Sequence, residues 1–179
     1  MGTTISGATG IDKVQDGTIV NADINSSAAI AGSKLVMPTG SVIQTIQFSG
    51  TASRTISAST SAWVSHFSLS ITPISTSSKI LIQATVPVLL TGTSNMCRAG
   101  FRIERGSTTI WNTDDFREQY HFRNADGEGN VIQNVIYLDS PNTTSATTYT
   151  WQGSMMSGTG LYMMSKAEGS NMVLQEIAG

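Results

Sequence analysis

Two histidines, one cysteine and a knot of carboxylates are the places where this 179-residue sequence could hold chemistry. A serine nucleophile needs an imidazole as base and a carboxylate to orient it. His66 alternates with Trp63 and Phe67 along a strand-like run, and His121 stands between Tyr120 and Phe122. Neither has a carboxylate at a spacing that suggests a triad, and serine is too abundant here for its presence to mean anything. Paired carboxylates for glycoside cleavage can be drawn from Asp114, Asp115, Glu118, Asp126 and Glu128. All five fall on one polar segment, which reads as a solvated loop tip. Asp126, Glu128 and Asn130 set oxygen ligands at alternate positions, but without the twelve-residue spacing of an EF-hand loop. A lone cysteine excludes an internal disulfide and a cysteine-based metal site, so Cys97 reads as a small buried residue or an inert thiol. The expectation is a non-enzyme, with no catalytic residue, no metal site and no cofactor.

One segment has the composition of a recognition surface. Residues 111–124 gather Trp111, Asp114, Asp115, Phe116, Arg117, Tyr120, His121, Phe122, Arg123 and Asn124. Sugar sites stack a pyranose on an aromatic face and satisfy its hydroxyls with Asp, Asn or Arg. The competing reading is that Trp111, Phe116 and Phe122 pin a long loop to the domain. Receptor contact, if the loop makes it, falls on Arg117, Tyr120, His121 and Arg123. Trp111 is a weaker candidate, because it closes a hairpin strand.

Serine and threonine make up about a quarter of the chain, and charged residues 12%, against a usual fraction of about 25%. With a mean hydropathy near zero, enough apolar residues remain to build a core. Thr and Val suit a pleated surface, and Gly and Ser suit turns. The composition indicates an all-β protein. A net charge of −2 gives no reason to bind nucleic acid, since that needs clustered Lys and Arg. The longest apolar run, near Val86–Leu90, is far too short to cross a bilayer. Met1-Gly-Thr-Thr has no basic region and no apolar run follows it, which implies synthesis in a cytoplasm without a secretion signal. The sequon at Asn142-Thr-Thr144 therefore goes unused.

Residues 1–40 contain no aromatic residue, and their large apolar side chains recur about every five positions, matching neither strand nor helix. Such a segment becomes stable by packing around an axis of copies or on another protein; the alternative is a flexible leader. Ser26–Gly32 could form one or two helical turns. From Ser41 to Gly179 the texture changes to short β-runs divided by turn residues, which predicts a jelly-roll-like antiparallel β-sandwich of nine or ten strands. Lys79–Val88 alternates most clearly, with Ile80, Ile82, Ala84, Val86 and Val88 on one face; Pro87 implies an edge or bulge. Ala62–Ile71 sets Trp63, Phe67, Leu69 and Ile71 on one face. Ala99–Arg105 points Arg102 and Glu104 outward and turns at Gly106-Ser107 into Thr108–Asn112. Residues 113–130 read as a long loop.

Three late strands, Leu161-Tyr-Met-Met164 among them, are apolar on both faces. Val131, Val135 and Tyr137 oppose Ile132, Ile136 and Leu138; Met172 and Leu174 oppose Val173 and Ile177. A sandwich strand buries one face on its own core, so something else must cover the other. A long loop or a second subunit can do so, and the subunit reading makes Ile132, Ile136, Leu138, Met172 and Leu174 interface candidates.

The strand–turn–strand run over residues 136–149, the closing strand over 172–179 and the N-terminal run over 10–24 together resemble bacteriophage tail-fibre and related virion-appendage proteins. The resemblance covers most of the chain. It implies an N-terminal segment, residues 1–40, that docks on other virion proteins, and a trimeric C-terminal β-knob, residues 41–179, that contacts a host-surface glycan or protein. A capsid fibre or decoration protein is the alternative, and a polysaccharide-degrading fibre the outlier. The expected location is the virion.

Overall fold

In the computed structural model, the described residues are 37–50, 54–56, 62–92, 97–113, 120–122, 127–157, 160–163 and 169–179, with the backbone alone at 49–50, 54, 91–92, 97, 120–122, 127–130, 156–157 and 160–163. Alternation in residues 80–90 sets the centre of the fold. Ile80, Ile82, Ala84, Val86, Val88 and Leu90 are buried, while Gln83 and Thr85 are exposed. They lie on β4 (Lys79–Gly92). The other strands are β1 (Val42–Gly50), β2 (Arg54–Ile56), β3 (Val64–Ile71), β5 (Cys97–Arg105), β6 (Thr108–Asn112), β7 (Tyr120–Phe122), β8 (Gly127–Asp139), β9 (Thr147–Ser157), β10 (Gly160–Met163) and β11 (Ser170–Ile177). Among the described residues there is no helix.

The strands form two antiparallel sheets. Sheet A runs β1-β11-β4-β8, with β10 and β2 extending it beside the far half of β4; sheet B runs β3-β9-β5-β6, with β7 also paired to β5. Four strands of the six in sheet A, β1-β11-β4-β8, and four of the five in sheet B, β3-β9-β5-β6, are drawn from both ends of the chain and interleave in this order as a jelly roll. The all-β sandwich expected from the sequence is therefore the fold.

The core lies between the sheets. Sheet A contributes the inner row of β4 with Met172, Leu174 and Val135; sheet B contributes Phe67, Ile71, Ala99, Phe101, Ile103, Tyr149, Trp151 and Met155. An aromatic stack runs through it. Phe48 and Phe67 lie parallel at 4.6 Å, Phe67 and Trp151 at 6.5 Å, and Trp111 stacks on Trp151 at 5.9 Å. Offset stacks of this kind add to simple area burial.

Three local expectations are corrected. Residues 113–130 are not one loop, because β7 pairs with β5 and residues 127–130 continue β8. Pro87 sits in a central strand rather than at an edge or bulge. It falls where β4 changes partners, between Thr85, the last residue paired with β11, and Val88, the first paired with β10, so the ladder on that flank is already interrupted. Finally, Trp63 does not share a face with Phe67 and Ile71. A bulge at His66 shifts the register between Ser65 and Phe67, so Trp63 and Ser65 turn outward while Phe67 stays in the core.

Gly106 takes a φ of +60° in the β5–β6 hairpin, a conformation that costs glycine little. The chain divides between Val36 and Met37. Residues 1–36, which hold most of the expected attachment segment, lie outside the described residues. Gly40 belongs to the sandwich, since its amide donates to the Ala178 carbonyl at 2.8 Å.

Candidate functional site

The two outer faces differ in chemistry. On sheet A, β8 pairs with β4 on one flank and carries no strand on the other among the described residues. Its inner row, Gln133, Val135 and Asp139, is buried. Its outer row is open: Ile132 is 59% exposed, Ile136 75% and Leu138 49%. Opposite them on β4 stand Pro87, Gln83 and Leu81, so the stripe has apolar neighbours one strand inward at its two ends and a polar one, Gln83, beside Ile136. Edge strands of this length normally carry Lys, Pro or a bulge that discourages pairing, and β8 has none of these from Val131 to Asp139.

The inner end of β8 is locked to sheet B through buried polar groups. Arg105 Nη1 donates to both oxygens of Asp139, at 2.8 and 2.9 Å, and Tyr149 Oη donates to Asp139 Oδ2 at 2.7 Å. Burial, then the hydrogen bond to Asp139, push the Tyr149 hydroxyl far above its ordinary range, so it stays a donor at every physiological pH. This cluster ties β8 to β5 and β9, with Asp139 nearly buried and Arg105 reaching solvent.

The outer face of sheet B is polar. Ser68 shares a hydrogen bond with Thr150 at 2.9 Å, and Ser70 with Thr148 at 2.8 Å. The side chain that departs from this chemistry is Trp63, partly exposed, with the Arg102 guanidinium 4.5 Å from its ring centroid. Arg102 Nε donates to Gln152 Oε1 at 2.6 Å, and its Nη2 pairs with Glu104 Oε1 at 2.6 Å. Gln152 Nε2 donates in turn to Glu104 Oε2 at 2.9 Å and to Ser65 Oγ at 3.1 Å. Register explains the grouping, because Ser65, Gln152 and Arg102 occupy one row across β3, β9 and β5. The bulge itself is pinned by His66, whose Nε2 is 2.9 Å from Ser170 Oγ and whose ring meets the edge of Phe67.

The residues expected to matter are distributed unevenly. Met172 and Leu174 are corrected: both are wholly buried in the protomer's own core, so neither can face another subunit. Ile132, Ile136 and Leu138 share one exposed face of β8. Trp111 packs against the buried Trp151, which uses one face of its ring for the core. Tyr120 and His121 lie on β7, opposite Ala99 and Arg98 in backbone register, and their side chains lie outside the described residues. Arg117 and Arg123 lie outside them altogether, as does Asp126 of the oxygen-ligand pattern. Among the described residues no three His, Cys, Asp or Glu side chains gather as a metal site.

Sequence reading missed the Trp63–Arg102–Glu104–Gln152 cluster. Arg102 and Glu104 were legible as outward-facing, but a bulge in β3 leaves no signature beyond a polar residue between two aromatics.

No family model matches the chain, and no curated protein matches it. Among solved structures it is similar to infectious bursal disease virus VP2 in its subviral particle, with a TM-score of 0.42 and 13% identity over 85% of this chain and 37% of that one. The structures of the Gx and Gt strains of the same virus give TM-scores of 0.39 and 0.38 at 14% and 12% identity, again over 85% of this chain. The chain spans 37% to 42% of the length of these chains. The jelly-roll assignment rests on the strand order given above.

Proposed function

We propose that the protein is a non-enzymatic structural component of a virion, a bacteriophage tail-fibre or appendage subunit. In this reading the jelly roll associates as a homotrimer through β8, and residues 1–40 dock it on other virion proteins. The observation that carries the reading is the exposed row Ile132, Ile136 and Leu138 on an edge strand with no strand beside it among the described residues. An apolar stripe on an open edge is a liability in a monomer and an asset in an assembly. Threefold order comes from the resemblance of the sequence to fibre knobs, and a virion address comes from the same source.

The test is the oligomeric state of the full chain by mass photometry, together with its place on particles by immunogold labelling. A trimer that Ile136→Asp converts to monomers, and labelling at the tail, are the expected results. A monodisperse monomer of the unaltered chain defeats the assembly reading. Labelling over the head moves the protein to the capsid-decoration class.

A further inference from the structure

We propose that the outer face of sheet B around Trp63 is a binding site for a neutral sugar ring, with Trp63 as the stacking platform and Arg102 and Glu104 as the groups that read hydroxyls, held in place by the buried Gln152. The inference is independent of the virion reading and concerns a different sheet from the proposed subunit contact.

The bulge in β3 re-aims Trp63. In regular alternation Trp63 would share the inner face with Phe67 and Ile71. The extra residue at His66 reverses this, and the largest side chain of the segment is delivered to a polar surface. Phe67, Phe101, Tyr149 and Trp151 are buried and Trp111 stacks on Trp151, whereas Trp63 stands on the outer face beside Arg102. Bulges recur where a side chain is re-aimed for function. Here the bulged residue is held by the His66–Ser170 hydrogen bond across to β11.

The polar groups beside Trp63 are held rigidly. A sugar site gains from polar groups already fixed in place, because each side chain that must be ordered on binding weakens the complex. Arg102, Glu104 and Gln152 hold one another in a closed set of hydrogen bonds, at 2.6 to 2.9 Å, and Ser65 anchors the set to β3. Arg102 and Glu104 nevertheless keep 22% and 15% of their side chains in solvent. Carboxylate and guanidinium are planar groups that engage adjacent hydroxyls in pairs.

Charge balance selects the ligand. Arg102 and Glu104 neutralise each other, which disfavours phosphate, sulfate or nucleic acid. Around them the surface is hydroxyl-rich, with Ser68, Ser70, Thr148 and Thr150 on adjacent rows. A partner protein would seek a larger apolar area than a single indole. A pyranose matches the indole face turned away from Arg102: its C–H face lies on that side of the ring and its hydroxyls reach the polar groups at the rim.

The experiment uses the full chain and named probes: the methyl pyranosides of glucose, galactose, mannose and N-acetylglucosamine. Binding is read by saturation-transfer NMR and by tryptophan fluorescence. Saturable binding of at least one neutral pyranoside is expected, in the weak range usual for single rings. Trp63→Ala should weaken it about tenfold or more, while Trp63→Phe should retain it within a few-fold, since an aromatic face remains. Circular dichroism melts establish that each variant is folded. Arg102→Lys, which keeps the charge and loses the planar fork, should also weaken binding. Three results overturn the proposal: no saturable binding of any of the four, binding that is indifferent to Trp63→Ala, or binding of a sulfated pyranoside in place of the neutral ones.

Discussion

Glu176 stands in β11 with its carboxylate wholly buried, between Gln44 of β1 and the Thr72–Ser78 connection that leads into β4. Gln44 Nε2 donates to Oε2 at 2.5 Å and the Ile74 amide to Oε1 at 2.7 Å. Burial alone would raise its pKa. The hydrogen bonds from Gln44 and the Ile74 amide, with the polar Ser75–Ser78 connection around the carboxylate, outweigh that and hold it below its ordinary value of 4.5. A carboxyl whose folded pKa is depressed contributes stability above its unfolded pKa and loses it as the pH falls through the folded value. The sandwich should therefore weaken on acidification below about pH 4.5, and chemical denaturation at several pH values will show it. Glu176→Gln should cost about 1–3 kcal/mol at neutral pH and flatten the acid limb. Tyr149→Phe tests the neighbouring kind of contact. Asp139 keeps both bonds from Arg105 and loses one donor, so a cost of about 1–2 kcal/mol is expected from the same assay.

A strand in a sandwich is a row of decisions made two residues apart, and β8 shows how much of this the sequence discloses. Val131, Val135 and Tyr137 were separable from Ile132, Ile136 and Leu138 by spacing alone, and the structure keeps the two sets on opposite faces. Spacing does not say which set is inner when both are apolar. In β11 the same ambiguity misplaced Met172 and Leu174, and a hint lay beside them. Glu176 shares their face, but a buried carboxylate needs donors from β1 and from a distant connection that no local pattern reveals. The register shift at His66 was illegible for a related reason, since a bulge is defined by the partner strand. Pairing β3 with β9 was needed before Trp63 could be placed. The two faces of β8 make a paired prediction. Val135→Asp places a charge in the core and should abolish the folded state. Ile136→Asp, one residue on, should leave the melting transition of the sandwich nearly unchanged and alter assembly. Circular dichroism and mass photometry on the two variants separate the outcomes.

At the scale of the whole molecule, the jelly roll brings together strands remote in sequence. Val42 pairs with Ile177, and Ile80 with Asp139. Closing such long loops before any contact rewards them makes folding slow, in the millisecond-to-second range typical of all-β sandwiches. The described sandwich starts at Met37, and its first contacts, Gly40 to Ala178 and Ala178 to Ser41, use nothing earlier in the chain. Deleting residues 1–36 should shift the thermal transition by no more than a few degrees while incorporation into particles is lost. A deletion variant that still occupies particles at the unaltered level would sink the docking role assigned to that segment.

The same β1–β11 pairing has a geometric consequence. Gly40 and Ala178 are hydrogen-bond neighbours, so both junctions of the sandwich leave from a single point on its surface. A domain whose two ends coincide behaves as a cassette: it can be set into a surface turn of a host protein without prying that turn apart. It can also be rewired. Joined by a short linker at that corner and opened instead at Gly106-Ser107, the chain would become a circular permutant with the same sheets in a new order of synthesis. In that permutant β6 would be made first and β5 last.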